Sequence, residues 1–295
     1  MNPLLEEGFA EAKSIVANSN SNLTSFFSVL SSDRRAAMRV FYAFCRKTDD
    51  IADSSKSKVE KQEELQAWFN CIREELSGRQ TNLPLPTALN HVVTEYKIPH
   101  QYIFDILKGV SRDIGDFEIE TYADLRTYCY LVASTVGLAS LHIWGIKGDP
   151  DDYRRYAIDC GIAMQITNIL RDFHEDIKTR RIYFPKEDYI SRGLQLTDTV
   201  QPINHQYWQD LIQFECRRAQ DLYHSGLKLQ DFLDPAGKKI LRGLIGRYWG
   251  ILKKIRRNPL FVLRGRTTLS RFEKYKISLQ TLTGLPPLKI KPCKD

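Results

Sequence analysis

Two stretches of the chain place carboxylates at helical spacing on otherwise apolar segments. In "AAMRVFYAFCRKTDDIAD", Asp49 and Asp53 are four residues apart, so on a helix they share a face about one turn apart, with Asp50 beside them. In "CGIAMQITNILRDFHEDIKTRRIYFP", Asp172 and Asp176 repeat that spacing. There Gln165, Asn168, Asp172 and Asp176 step by three, four and four, forming one polar stripe on a helix otherwise built from Ile162, Met164, Ile166, Ile169 and Leu170. Like charges at this spacing repel by roughly 0.2–0.5 kcal/mol unless a cation intervenes. One such pair is compatible with a merely solvated helix end. Two pairs, the first beside Arg46 and Lys47 and the second beside Arg171, Arg180, Arg181 and Tyr183, point to chemistry. Hard oxygen ligands hold Mg²⁺, Mg²⁺ bridges to diphosphate oxygens, and guanidinium and phenol groups neutralise the charge that develops as diphosphate departs.

The elements that must position these acids read as helices nearly throughout, with strand alternation almost absent. Helices are predicted over about 3–17, 33–53, 58–77, 86–96, 99–110, 121–144, 150–178, 203–232, 235–257 and 268–283. Asp33, Thr121 and Asp234 are the expected N-caps. "SGRQTNLPLP" and "FPKEDYISRGLQLTDTVQP" read as connectors, and neither separates two self-sufficient hydrophobic sets. One all-α domain over 1–295 is therefore expected. The stretch "YCYLVASTVGLASLHIWG", residues 128–145, has no charged residue and is about as long as a minimal membrane span. Its Ser, Thr, Tyr and His and its small residues Ala133, Ser134, Gly137 and Ala139 fit a central helix against which another helix or a hydrocarbon can lie. A substrate meeting both the acids and this wall carries diphosphate at one end and hydrocarbon at the other, as a prenyl diphosphate does.

The composition sets outer bounds. Of 295 residues, 42% are hydrophobic, enough for a large core, and Lys plus Arg (43) exceed Asp plus Glu (36) to give a net charge of +7. That balance suits nucleic acid, an anionic membrane or a polyanionic substrate. The basic residues are densest in "RGLIGRYWGILKKIRR" and "LRGRTTLSRFEKYK", where they alternate with apolar residues as on a solvated helix face, with an anionic bilayer surface as the second reading. No nucleic-acid partner and no obligate protein partner is inferred. The six cysteines lack CxxC spacing and read as reduced thiols; a zinc site is not expected. The start "MNPLLEEGFAEAKSIV" reads as an amphipathic helix rather than a secretory leader, and the end "LTGLPPLKIKPCKD" carries no apolar anchor. A cytoplasmic location is expected, with peripheral contact at the inner face of the membrane as its variant.

The stretches "FYAFCRKTDDIAD", "YCYLVASTVG" and "MQITNILRDFHEDIKTRRIYFP", in this order and at these separations, resemble the squalene/phytoene synthases, which join two prenyl diphosphates head to head. Weaker similarity runs through "TSFFSVLSSDRRAAMRVFY" and "FVLRGRTTLS", so the resemblance covers nearly the whole chain. Phe27 departs from it, since many relatives carry a tyrosine there. The resemblance implies a single-domain isoprenoid synthase bundle around a central apolar cavity. It implies that Asp49, Asp53, Asn168, Asp172 and Asp176 hold Mg²⁺, or Mn²⁺ in its place, with Asp50 and Glu175 in support. Ser25, Arg46, Gln165, Asn168, Arg171, Arg181 and Tyr183 are the implied substrate contacts, and Tyr128 or Tyr130 faces the cation, though ordinary aromatic packing accounts for each tyrosine equally well. Arg264 and Arg266 are weaker phosphate candidates.

The implied reaction ionises one farnesyl or geranylgeranyl diphosphate, whose allyl cation is attacked by the double bond of a second; loss of a proton gives a cyclopropylcarbinyl diphosphate. Departing diphosphate or a tyrosine can take that proton, so His142 and His174 are expected to be structural or solvated. NADPH is needed only if a reductive second half follows. Within the family, "VASTVGLASLHIWG" and the tail are most similar to the bacterial branch making presqualene diphosphate or squalene for hopanoids. Phytoene or dehydrosqualene synthesis is the alternative. Terpene cyclases and head-to-tail prenyltransferases fit less well, because the second motif is NxxxDxxxD rather than DDxxD. A non-catalytic assembly protein of the same fold is the remaining reading, disfavoured by the intact acids.

Overall fold

The chain is seen in a computed structural model that describes residues 2–19, 24–115, 118–179, 181–194, 205–283 and 288–293. Its helices are α1 (Pro3–Asn18), α2 (Ser32–Asp53), α3 (Lys58–Leu76), α4 (Pro84–Glu95), α5 (His100–Ile114), α6 (Tyr122–Cys129), α7 (Thr135–Trp144), α8 (Pro150–Lys178), α9 (Lys186–Ile190), α10 (His205–Gly226), α11 (Pro235–Arg257) and α12 (Arg271–Thr283). Short 3₁₀ turns lie at Thr24–Val29, Leu227–Phe232 and Pro259–Leu263, and a π-helical turn at Tyr130–Ser134. Among the described residues there is no strand, only an isolated bridge between Ile146 and Leu233. The fold is all-α, as the periodicity indicates. None of the described helices is long and apolar enough to cross a membrane.

The chain forms two compact units. The first comprises Met1–Phe117, Thr135–Lys147 and Leu233–Ile240; the second comprises Glu118–Ser134, Gly148–Phe232 and Leu241–Asp295.

In the first unit α1 packs on α2 and α4, α2 also on α3, α5 and α7, and α5 on α7. Gly8 permits the close approach of α1 to α4, because a Cβ there would lie 2.7 Å from the Ala88 Cβ. Helix α2 buries Val40, Phe41, Phe44, Ile51 and Ala52, the apolar face that its sequence spacing dictates. Thr48, within the acid motif, is fully buried: its Oγ1 donates to the Phe44 carbonyl (2.8 Å) and accepts from Trp68 Nε1 of α3 (3.0 Å). One cap expectation changes. Ser31 precedes α2 and makes no side-chain cap bond, so Asp33 falls inside the first turn rather than capping it. Asp234 stands at the N-cap position of α11, its carbonyl accepting the Lys238 N–H, and its carboxylate pairs with Lys147 (2.8 Å) and Arg34 (3.4 Å).

In the second unit α8 packs along α10, joined by a 2.8 Å hydrogen bond between the Thr167 and Tyr223 hydroxyls. Phe173 of α8 meets Phe184 and Trp208, with ring centroids 4.9 and 5.5 Å away. Thr121 does cap α6, in a reciprocal box with Asp124. The π-helical turn that follows α6 presses against α8: a Cβ on Gly161 would lie 2.5 Å from the Ser134 Cα, and Ser134 Oγ donates to the Ile158 carbonyl. A buried ionic cluster ties α9 to α10, where Arg218 Nη1 meets Glu215 (2.7 Å) and Asp188 (2.8 Å). Burial pushes the Glu215 carboxyl up to about 7 against the pull of Arg218. Helix α9 lies within a stretch that the sequence suggests to be a connector.

Candidate active site: the two acid motifs

The first motif closes α2. Thr48, Ile51 and Ala52 face the core, which leaves Asp49, Asp50 and Asp53 on the exposed side. Arg46 reaches Asp50 across one helical turn, 2.6 Å away, so the supporting acid rather than either member of the i, i+4 pair takes this guanidinium. Lys47 is drawn elsewhere, to Glu11 (3.7 Å) and over the Trp68 ring. Asp49 is left electrostatically uncomfortable. Desolvation first, then the charge of Asp53, raise its carboxyl to about 7; Arg46 opposes this, and Asp113 of α5 adds to it. The carboxylate is open to solvent by area, yet protein crowds the volume around it, so access and desolvation coexist. A cation at Asp49 and Asp53 would relieve this repulsion, and their hard oxygens suit Mg²⁺ or Mn²⁺. Among the described residues no three His, Cys, Asp or Glu side chains are gathered closely enough to hold an ion on their own.

The second motif lies along α8, with Gln165, Asn168, Asp172 and Asp176 all half-buried on the stripe. Asn168 Nδ2 donates to Gln165 Oε1 (3.3 Å), while Asn168 Oδ1 is buried with no hydrogen-bond partner among the described residues. Asp172 is gripped twice. Arg171 donates from Nε to one carboxylate oxygen (2.8 Å) and from Nη2 to the other (2.5 Å), and Arg266 Nε lies 2.8 Å from Oδ1. Arg266 also approaches Glu175 at 3.9 Å, and Arg171 bonds to Tyr248 of α11. The carbonyl of Asp176 accepts from the backbone N–H groups of Thr179 and Arg181, which fixes the turn leading to Tyr183. His174 Nδ1 contacts the Leu263 carbonyl (2.9 Å), holding the segment before Arg264 and Arg266 beside α8.

The aromatic candidates differ in setting. Tyr128 is buried and stacks on Tyr183, with centroids 5.1 Å apart, whereas half-buried Tyr130 is 3.5 Å from Arg154 Nη2. In the first unit, a Cβ on half-buried Gly137 would meet nothing within 4 Å, so space remains beside α7. Phe27 is buried edge-to-face against Tyr42. His142 is packed beside Tyr102, its imidazole shifted down by burial. Ser25 falls in the Thr24–Val29 turn, but its side chain lies outside the described residues, as does Arg180. A cavity of about 770 Å³ in the first unit, lined by Asn2, Leu5, Glu75 and His91 among others, includes no motif residue.

Sequence reasoning missed Asp113 and Tyr248, and it ranked Arg266 low. The acids of "SRDIGDFE" and the tyrosine of "RYWG" are visible in the sequence, but no local spacing links them to either motif.

The sequence model of the squalene/phytoene synthases matches residues 16–273. The chain belongs to that family. The match runs through both units. The chloroplastic phytoene synthase 1 of Zea mays is 28% identical to this family member over 78% of the chain and 57% of its own length. The chain thus spans little more than half of that relative. Among solved structures, a dehydrosqualene synthase in complex with ligand superposes with a TM-score of 0.82 at 26% identity, covering 95% of this chain and 97% of that one. Squalene synthase HpnC from Alicyclobacillus acidocaldarius gives 0.79 at 26% identity, covering 86% and 94%.

Proposed function

We propose that the chain, acting as one synthase domain, condenses two farnesyl diphosphates head to head to presqualene diphosphate with release of diphosphate, proceeding to squalene where NADPH is used. The observation carrying this reading is the α8 stripe, in which Asp172 sits between Arg171 and Arg266, one turn from Asn168, whose Oδ1 is buried with no hydrogen-bond partner among the described residues. Asp49, Asp53, Asn168, Asp172 and Asp176 are the proposed holders of Mg²⁺ or Mn²⁺, which when bound supplies positive charge for the diphosphate oxygens. Arg171 and Arg266 stabilise charge on the leaving diphosphate, assisted by Arg46, Arg181 and Tyr183, with Ser25 and Gln165 as further substrate contacts. Tyr128 and Tyr130 face the allylic cation, and the space beside Gly137 takes hydrocarbon. Proton loss to diphosphate or a tyrosine closes the cyclopropane. A cytoplasmic protein in peripheral contact with the inner membrane face suits so apolar a product.

The similarity to phytoene synthase and to a dehydrosqualene synthase supports a second reading, in which the same residues make phytoene or dehydrosqualene. Incubation with farnesyl or geranylgeranyl diphosphate, with and without NADPH, followed by product identification, separates them. Presqualene diphosphate or squalene from farnesyl diphosphate is the expected result; a product from geranylgeranyl diphosphate alone would move the assignment to phytoene.

A further inference from the structure

Helix α12 turns its large apolar side chains outward. Phe272, Tyr275 and Leu279 are 74%, 66% and 49% exposed, and their spacing puts them on one face. The other side is packed. Ile277 lies where Cβ atoms on Gly246 and Gly250 would meet it at 3.1 and 3.6 Å, Thr281 is buried, and Glu273 pairs with Lys254 at 2.7 Å. The orientation is thus fixed from beneath, although the solvent side of a surface helix ordinarily carries polar groups. Arg271 and Lys276 flank the apolar residues; both are exposed, and neither forms an ion pair among the described residues. The helix's one acid, Glu273, is held on the packed side.

We infer that this face docks on an anionic bilayer surface, with Phe272, Tyr275 and Leu279 entering the boundary between headgroups and acyl chains while Arg271 and Lys276 meet lipid phosphates. Apolar side chains between cations match that surface in both polarity and charge. A stable protein partner is a poorer match, because each large side chain covers at most about 150–250 Å², and three fall short of the roughly 800 Å² that each partner contributes to a durable interface. The inference deepens the peripheral location proposed above and rests on it for its cellular meaning, but vesicle binding needs no turnover, so the two can fail separately.

The test is sedimentation of the full chain with phosphatidylcholine vesicles, with and without phosphatidylglycerol. The wild type should bind only the anionic vesicles. Paired substitution Phe272→Ser with Tyr275→Ser, or Arg271→Glu with Lys276→Glu, should weaken that binding roughly tenfold or more, with the circular dichroism spectrum unchanged because all four side chains are exposed. Equal or absent binding of the wild type to both vesicle types would overturn the inference. So would wild-type affinity in both variants, or loss of a dimer in the serine variant with vesicle binding intact.

Discussion

Arg266 Nε lies 2.8 Å from Asp172 Oδ1, joining the tail after α11 to the acid stripe of α8. Arg171 holds the same carboxylate from the adjacent position, so Asp172 is neutralised by two guanidinium groups, whereas among the described residues Asp49 has none at bonding distance. In the proposed function this asymmetry makes the arginines a stand-in countercharge that passes to diphosphate. Arg266→Gln should lower kcat/KM for farnesyl diphosphate by about 100-fold while leaving the fold intact, as expected for a lost charge-stabilising donor. Steady-state kinetics beside a thermal melt checks this; a loss confined to the melting temperature would reduce Arg266 to a structural tie.

Asp49 predicts a pH dependence. Its folded-state carboxyl, raised from 3.8 to about 7, binds a proton more tightly than in the unfolded chain. Its contribution therefore favours the folded state below the unfolded value and is lost as pH rises through about 7. In chelator-treated buffer, Asp49→Asn should flatten the fall in melting temperature between acidic and mildly alkaline pH, and Mg²⁺ should recover part of that fall in the wild type only. Parallel curves for the two proteins would contradict this cause.

Thr48 binds the acid motif to the core. Thr48→Val removes the acceptor of the Trp68 indole N–H and should cost about 1–3 kcal/mol, because the indole donor is left buried and unsatisfied. Urea unfolding measures the cost, and an unchanged midpoint would show that the bond contributes nothing.

Gly161 marks where α8 meets the π-helical turn. Gly161→Ala places a methyl against Ser134 backbone, and overpacking of this kind costs about 1–3 kcal/mol. If that turn also sets the position of Tyr128 and Tyr130, kcat should fall more than KM changes, which kinetics below the melting transition can read.

Helix positions were largely legible because amphipathic spacing and Pro, Ser and Thr punctuation act locally: α2, α8 and α11 start and stop within a residue of expectation. The π-helical turn at 130–134 was not, since its extra residue per turn leaves an apolar run looking like ordinary helix. Asp33 misled because Ser31 and Ser32 offer competing starts just before it. In the site, the pairs Asp49/Asp53 and Asp172/Asp176 were readable from i, i+4 spacing. The partnerships of Arg266 with Asp172, Tyr248 with Arg171 and Asp113 with Asp49 depend on tertiary packing, for which one sequence has no local code. The choice of Asp50 by Arg46 was likewise hidden, because a long side chain can reach several neighbours on a helix face.

In the proposed function both acid motifs serve one diphosphate-releasing reaction. Its most direct test is Mg²⁺-dependent release of diphosphate from farnesyl diphosphate by the wild type, Asp49→Ala and Asp172→Ala, each with its circular dichroism spectrum. Release by the wild type and its loss in both variants, with helicity unchanged, is the expected result. Near-normal release by either well-folded variant would contradict it.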